Sequence, residues 1–473
     1  MASYDFDCLV IGAGPGGYVA AIRATQLGLS CALIEKDKAG GVCLNIGCIP
    51  SKALIHQAEV FSHGAELEKM GIKLDRSGFE YSSVFKKSRK AADSLSRGVQ
   101  SLIKKNKIEY ITGEAKVTGP NEVTVGSKKI TGKSILIATG SRPRELPGFE
   151  FDEKTVLSST GVLMLEELPK DLIVLGAGVI GLEFAHVMSL FGVKVTVVEM
   201  LPRALALEDA EVVEVLVKDF KRRGVEILTD TKATKLEKTK SGVKLSVENS
   251  DGKKTLEAEK ILVAVGRVPN TENLGLEAVG VKLEKGFVRV GDYYRTDVKS
   301  IYAVGDVVPS PPLAHVASKE GEIVVEYIAT QSSAKTTNQK NAHAVETKLD
   351  PDLIPSAVYT EPQIASFGPT EATAKEKKLA YKKAVFPYRG AGKSVAIEQP
   401  DGLVKILYDE KTHEIIAAHV VGNAATELIH ELLLAKKAEL LPEDIATMIH
   451  AHPTLSEAVM EAARAAEGWA IHI

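Results

Sequence analysis

Two cysteines and one histidine carry the first chemistry this sequence suggests. Cys43 and Cys48 sit five residues apart in GGVCLNIGCIPSKAL, residues 40–54, in a chain with only four cysteines. Near the other end, HAHPTLSE at 450–457 sets His452 five residues before Glu457. A thiol pair can store two electrons as a disulfide or bind a metal, and a histidine beside a carboxylate can move a proton. On an ideal α-helix, residues five apart have Cα atoms ~8.7 Å apart, beyond the ~7 Å that a disulfide tolerates. A bridge therefore needs a broken helix, and Gly47 and Pro50 supply the irregularity. Zinc is the competing reading, but it wants two more soft or imidazole ligands. Cys8 and Cys31 fall inside expected strands and read as small buried apolar residues, so no metal site is expected. A redox-active disulfide is the better account.

The histidine segment also admits two readings. Thr454 to Glu457 fits a capping box, with Thr454 as the cap and Glu457 reaching back. The chemistry asks for more. A substrate thiol with pKa near ~8.5 needs a base to attack as thiolate at neutral pH, and a histidine oriented by a carboxylate supplies one. His450 has no such claim and reads as auxiliary.

The elements that would position these groups repeat. CLVIGAGPGGYVAAIRATQLGLSCALIE and LIVLGAGVIGLEFAHVMSLFGVKVTVVE share one template. Gly12, Gly14, Gly17 and Glu35 align with Gly176, Gly178, Gly181 and Glu199 at identical offsets. Each copy reads as strand, Gly-x-Gly-x-x-Gly turn, amphipathic helix and second strand ending in glutamate, the signature of a dinucleotide site. Two copies imply two dinucleotides. Glu199 would repel a 2′-phosphate, which favours NAD over NADP. Glu183 replaces the first copy's Val19, either as a favourable acid in a helix first turn or as the partner of a buried cation.

Composition bounds the rest. At 473 residues, two to four domains are expected. A net charge of −3, from 59 basic and 62 acidic side chains, implies no general attraction to nucleic acid or anionic membrane. The longest apolar run, Leu172 to Leu182, is about half the ~20 residues that span a bilayer. The N-terminal run leads straight into a glycine turn without a basic leader, so the chain is expected to be cytoplasmic, or the mature form in an organelle matrix or stroma.

With these residues in view, the cysteine segment resembles the active-site segment of the flavin disulfide reductases, and of the dihydrolipoamide dehydrogenases above all. Val42 stands where that family usually has Thr. The resemblance continues through ATGSRP at 138–143, VGRVPN at 265–270, IYAVGD at 301–306, PLAHVASKEG at 312–321 and HAHPTLSEA at 450–458. It implies one tightly bound FAD per subunit, held by the first glycine triplet with Glu35, Lys52, Ala115, Thr139, Gly140, Ser141, Asp306, Leu313, Ala314 and His315. It implies NAD held by the second triplet with Glu183, Glu199, Ala233 and Gly266. Cys43 would exchange disulfides with substrate while Cys48 faces the flavin, and Lys52 would pair with Glu183. His452, oriented by Glu457, would act on the cysteine pair of the partner subunit.

The expected fold is α/β, with two Rossmann-like dinucleotide-binding domains and a C-terminal α+β dimer-interface domain. Boundaries are expected at 1–148 (FAD), 149–275 (NAD), 276–348 (a central return to the FAD domain) and 349–473 (interface). Residues 82–107 read as a helix with Leu95, Val99, Leu102 and Ile103 on one face and a solvated basic face. The polar stretch 330–343 reads as a loop. The implied activity oxidises dihydrolipoamide and reduces NAD⁺. The implied partners are a second copy of the chain and either lipoyl domains of 2-oxo acid dehydrogenase complexes or the lipoyl carrier protein of glycine cleavage. Glutathione reduction is disfavoured by Glu199 and Gly181, and mercuric reduction by the lack of cysteines after Cys48. A docking subunit is the non-enzymatic alternative.

Overall fold

FDCLVI and CALIE fold as parallel neighbours, β1 (Phe6–Ile11) and β2 (Cys31–Glu35), because both are covered on two faces and can be apolar throughout. The helix α1 (Pro15–Gln26) joins them, with Pro15 at its first position. The computed structural model describes residues 3–331 and 346–473, so most of the expected 330–343 loop lies outside the described residues. Two units follow from the contacts. One holds the chain up to Ala53, Ser82–Arg144 and Gly266–Leu349; the other holds Leu54–Tyr81, Glu145–Val265 and Asp350–Ile473.

In the first unit a sheet runs Glu109–Thr112, β2, β1, Lys128–Ile137, with Ile301–Ala303 also pairing with that last strand. Antiparallel strands Glu122–Val125 and Ala115–Gly119 extend it. Cys8 lies opposite Cys31 in the register of β1 and β2, and both are buried. The helix α1 packs on the helix Ala314–Thr330 closely enough that a Cβ on Gly321 would come 2.5 Å from the Gly16 carbonyl oxygen. Past β2 the chain forms α2 (Gly41–Ile46), α3 (Cys48–Lys69) and α4 (Tyr81–Lys105). The buried stripe of α4 is Val84, Ser88, Ala92, Ser96, Val99 and Ile103, whereas Leu95 and Leu102 are exposed. The expected face was shifted because three of the residues in the true stripe are small.

The second unit repeats the motif as strand Asp171–Leu175, helix Val179–Leu190 and strand Lys194–Val198. These belong to a parallel five-stranded sheet with Glu226–Leu228 on one side and Lys260–Val263 and Val156–Leu157 on the other. After residue 350 an antiparallel sheet is ordered Ser356–Val358, Gln363–Phe367, Ile415–Gly422, Leu403–Asp409, Tyr381–Pro387. Helices Ala425–Lys437 and Ser456–Ala466 pack on it around Phe386, Tyr388, Val420 and Leu432. The expected fold class is the one observed.

Candidate active site

The segment that carries Cys43 and Cys48 hangs between glycines. Gly40 and Gly41 take positive φ, 93° and 57°, to turn the chain into α2. A Cβ on Gly41 would lie 2.7 Å from Gly14 Cα, so the loop rests directly on the first glycine turn. Gly47 then breaks the helix at φ −149°, ψ −118°, and a Cβ there would come 2.9 Å from the Val42 carbonyl oxygen. Across this break the Cys43 and Cys48 side chains hydrogen-bond each other, and all four cysteines of the chain are thiols. The Cys43 thiol is pushed far above its ordinary value by the Cys48 thiol and by burial, while the Lys52 ammonium and the Cys48 backbone N–H pull it down.

The two glycine turns have the same anatomy. Cβ atoms on Gly12 and Gly176 would come 2.3 and 2.5 Å from the Ala138 and Ala264 carbonyl oxygens; on Gly17 and Gly181 they would come 1.8 and 2.0 Å from those of Gly12 and Gly176. At Gly14 and Gly178 a Cβ would meet nothing within 4 Å, which leaves room above each helix N-terminus for phosphates. Glu35 accepts the Ala13 and Asp37 N–H groups at 2.7 and 2.8 Å; Glu199 accepts those of Ala177 and Leu201 at 2.7 and 2.9 Å. Each carboxylate is thus pinned beside its turn with lone pairs to spare. Both cradles fit a dinucleotide.

Further residues of the first unit gather near Asp306. Ser141 Oγ donates to the Asp306 carboxylate, and Thr139 Oγ1 donates to the Asn270 carbonyl at 2.7 Å while Asn270 Nδ2 returns a bond to the Thr139 carbonyl at 3.0 Å. Gly140 takes φ +70°. Ala115 is buried at the start of its strand, Leu313 directly precedes the helix Ala314–Thr330, and His315 is exposed on its first turn. Gly266 lies in this unit, its carbonyl accepting the Arg144 N–H at 3.0 Å. Lys52 also lies here. Glu183 is in the second unit, buried past the first turn of its helix, where it accepts the Tyr359 N–H at 3.1 Å. A simple helix-dipole role therefore does not describe it. Ala233 sits at a bulge in the strand Lys232–Thr239.

At the C-terminal sheet, His452 Nδ1 and Glu457 Oε1 are 2.9 Å apart and the imidazole is exposed. With Nδ1–H donating to the carboxylate, Nε2 carries the open lone pair. Burial raises the Glu457 carboxyl, but the Thr454 N–H, which it accepts at 2.8 Å, and His452 outweigh this and hold it below its usual value. Only the reach-back half of the expected capping box forms: the helix starts at Ser456, and the Thr454 hydroxyl donates instead to the Ala451 carbonyl at 2.7 Å. His450 forms a second pair, Nε2 to Glu431 Oε1 at 2.8 Å, with its side chain buried.

Residues 6–321 match the pyridine nucleotide-disulphide oxidoreductase family. The chain belongs to that family. Residues 354–463 match the dimerisation domain of these oxidoreductases, which supports a homodimer. A dihydrolipoyl dehydrogenase of Rhizobium etli is 43% identical, covering 98% of this chain and 98% of its own. The mitochondrial dihydrolipoyl dehydrogenase 1 of Arabidopsis thaliana is 42% identical over 100% of this chain and 92% of its own. The crystal structure of LpdA from Mycobacterium tuberculosis covers 97% of this chain and 99% of its own at 28% identity and a TM-score of 0.87. FAD and NAD are the cofactors of this oxidoreductase. The family read from the cysteine segment is the family found.

Sequence reasoning passed over three residues of this oxidoreductase. Arg267 donates from Nε and Nη2 to Ser141 Oγ and its carbonyl, both at 2.7 Å, and stands 3.8 Å from Asp306. Burial lowers its pKa while Asp306 and Cys48 oppose the fall. The quoted VGRVPN held it in plain sight. Arg89 and Glu431 gave no such signal, being single charged residues on amphipathic helices. Among the described residues no helix is long and apolar enough to cross a membrane, and no group of three or more His, Cys, Asp or Glu is placed to hold a metal.

Proposed function

We propose that this chain oxidises dihydrolipoamide to lipoamide at Cys43 and Cys48 and delivers the electrons to NAD⁺. The observation that carries the reading is the sulfur contact across Gly47 in a loop resting on the first glycine turn. In the oxidised pair, a substrate thiolate attacks Cys43 Sγ and the Cys43–Cys48 bond breaks, leaving Cys48 as thiolate. The second substrate thiolate then displaces Cys43, and cyclic lipoamide leaves with its new S–S bond. Two electrons now reside on the cysteines. His452 of the partner subunit takes the proton of the attacking thiol at Nε2, with Glu457 of the partner subunit holding the ring. When bound, FAD supplies the two-electron relay between the dithiol and NAD⁺. The first glycine triplet, Glu35, Ser141 and Asp306 would hold FAD; the second triplet and Glu199 would hold NAD.

The relatives' names support lipoyl-bearing partners, either lipoyl domains of 2-oxo acid dehydrogenase complexes or the lipoyl carrier protein of glycine cleavage. The compartment we propose is the cytoplasm or an organelle matrix, since the relatives are bacterial and mitochondrial. The test is substitution. Cys43→Ser and Cys48→Ser are each expected to retain FAD by visible absorption and to lose lipoamide-linked NAD⁺ reduction. Near-normal turnover in both would end the proposal.

A further inference from the structure

Helix α4 grips the redox loop at two points. Ser96 Oγ donates to the Ala39 carbonyl and, two turns nearer the helix start, Arg89 Nη1 donates to the Asn45 carbonyl, each at 2.8 Å. Asn45 closes the frame by donating from Nδ2 to the Ala39 and Gly41 carbonyls at 3.1 and 2.9 Å. In a continuous helix the Asn45 carbonyl would accept the N–H of Ile49. The break at Gly47 falls between those two residues, and also between the two cysteines. A carbonyl at the centre of the redox pair is thus secured by a side chain from another helix.

Arg89 bears a cost in this position. It is half-buried, its Nη2 is buried without a hydrogen-bond partner among the described residues, and burial lowers its pKa against the pull of Asp93. A basic residue on a solvated face would pay neither penalty. We propose that Arg89 is a positioning residue of the redox pair: its guanidinium holds the Asn45 carbonyl at the break and so fixes how the Cys43 and Cys48 sulfurs face each other. The inference rests on the redox reading given above. Ring closure between two thiols depends on how closely the backbone presents one to the other. Loosening the Asn45 anchor lowers that effective concentration and favours the dithiol.

The test equilibrates the full FAD-bound chain in mixtures of oxidised and reduced dithiothreitol. In this exchange the two cysteine thiols give two electrons and two protons to the dithiothreitol disulfide, and the fraction bridged is read by alkylation and mass spectrometry of the 40–54 segment. Arg89→Met is expected to raise the oxidised-to-reduced ratio at half-bridging by about tenfold. Arg89→Lys, which can still donate to the carbonyl, should stay within about threefold of the parent, and Lys90→Gln on the same helix should not move it. If Arg89→Met does not fold, Arg89→Gln carries the same expectation. An unchanged midpoint, or a shift toward the disulfide, overturns the inference. A parent chain that forms no bridge at any ratio sinks the redox reading and this inference together. Lipoamide turnover plays no part in the readout, so failure of the substrate assignment is told apart from failure of the Arg89 role.

Discussion

Glu320 is a fully buried carboxyl group, its Oε2 accepting the Gly305 N–H at 2.6 Å beside Asp306. Burial pushes its pKa up to about 7 from 4.5, with Asp306 adding to the rise and the Gly305 N–H opposing it. Between those values the folded chain keeps a proton that the unfolded chain has lost. Stability from this group is therefore fully present below pH 4.5 and is lost as pH rises to about 7, by about 3 kcal/mol. Glu320→Gln keeps an acceptor for Gly305 and cannot ionise. Its unfolding midpoint, followed between pH 5 and 8, is expected to fall less than the parent's; parallel curves would clear Glu320 of the effect. Cys43, Cys48 and His452 were legible because their side chains have few other uses at such spacing. Glu320, Arg89 and Arg267 were not, because a buried charge on an amphipathic element has the same sequence signature as a solvated one. Only the third dimension separates them.

The glycine turns show what an element can reveal from its letters alone. Gly17 and Gly181 are compulsory because their helices lie against the carbonyls of Gly12 and Gly176, and the matched offsets of the two copies announced this. Gly181→Ala would place a methyl 2.0 Å from the Gly176 oxygen and force helix and strand apart. The NAD⁺ concentration for half-maximal rate is expected to rise at least about tenfold while the FAD absorbance stays; an unchanged requirement would mean the second turn does not hold NAD. Helix α4 was legible in extent but not in orientation. Its buried stripe passes through Ser88, Ala92 and Ser96, while the conspicuous Leu95 and Leu102 point outward. Periodicity weights large apolar residues, whereas this buried stripe includes small ones, one of which, Ser96, donates to the Ala39 carbonyl.

At the scale of the molecule, each unit is stitched from separated stretches, and the detour of residues 54–81 into the second unit leaves no mark in composition because α3 is one uninterrupted helix. The class of fold could be read from repeated motifs; which stretches share a core depends on tertiary contacts that no local pattern encodes. The dimerisation match gives meaning to Met448 and Ile449, exposed just before His450, Ile449 by 96%. A branched aliphatic chain so bare, three residues before the proposed base His452, fits a surface covered by a second copy. Ile449→Asp is expected to yield monomers in light scattering, with FAD retained and lipoamide turnover lost; a fully active dimer would show that this residue lies off the interface. Cys8 and Cys31, facing one another deep in the first unit, bring a practical consequence. With the Cys43–Cys48 pair reduced, a sulfhydryl reagent would count two groups on the folded chain and four in denaturant, and refolding in air would invite cross-wired sulfurs, so reductant belongs in that buffer.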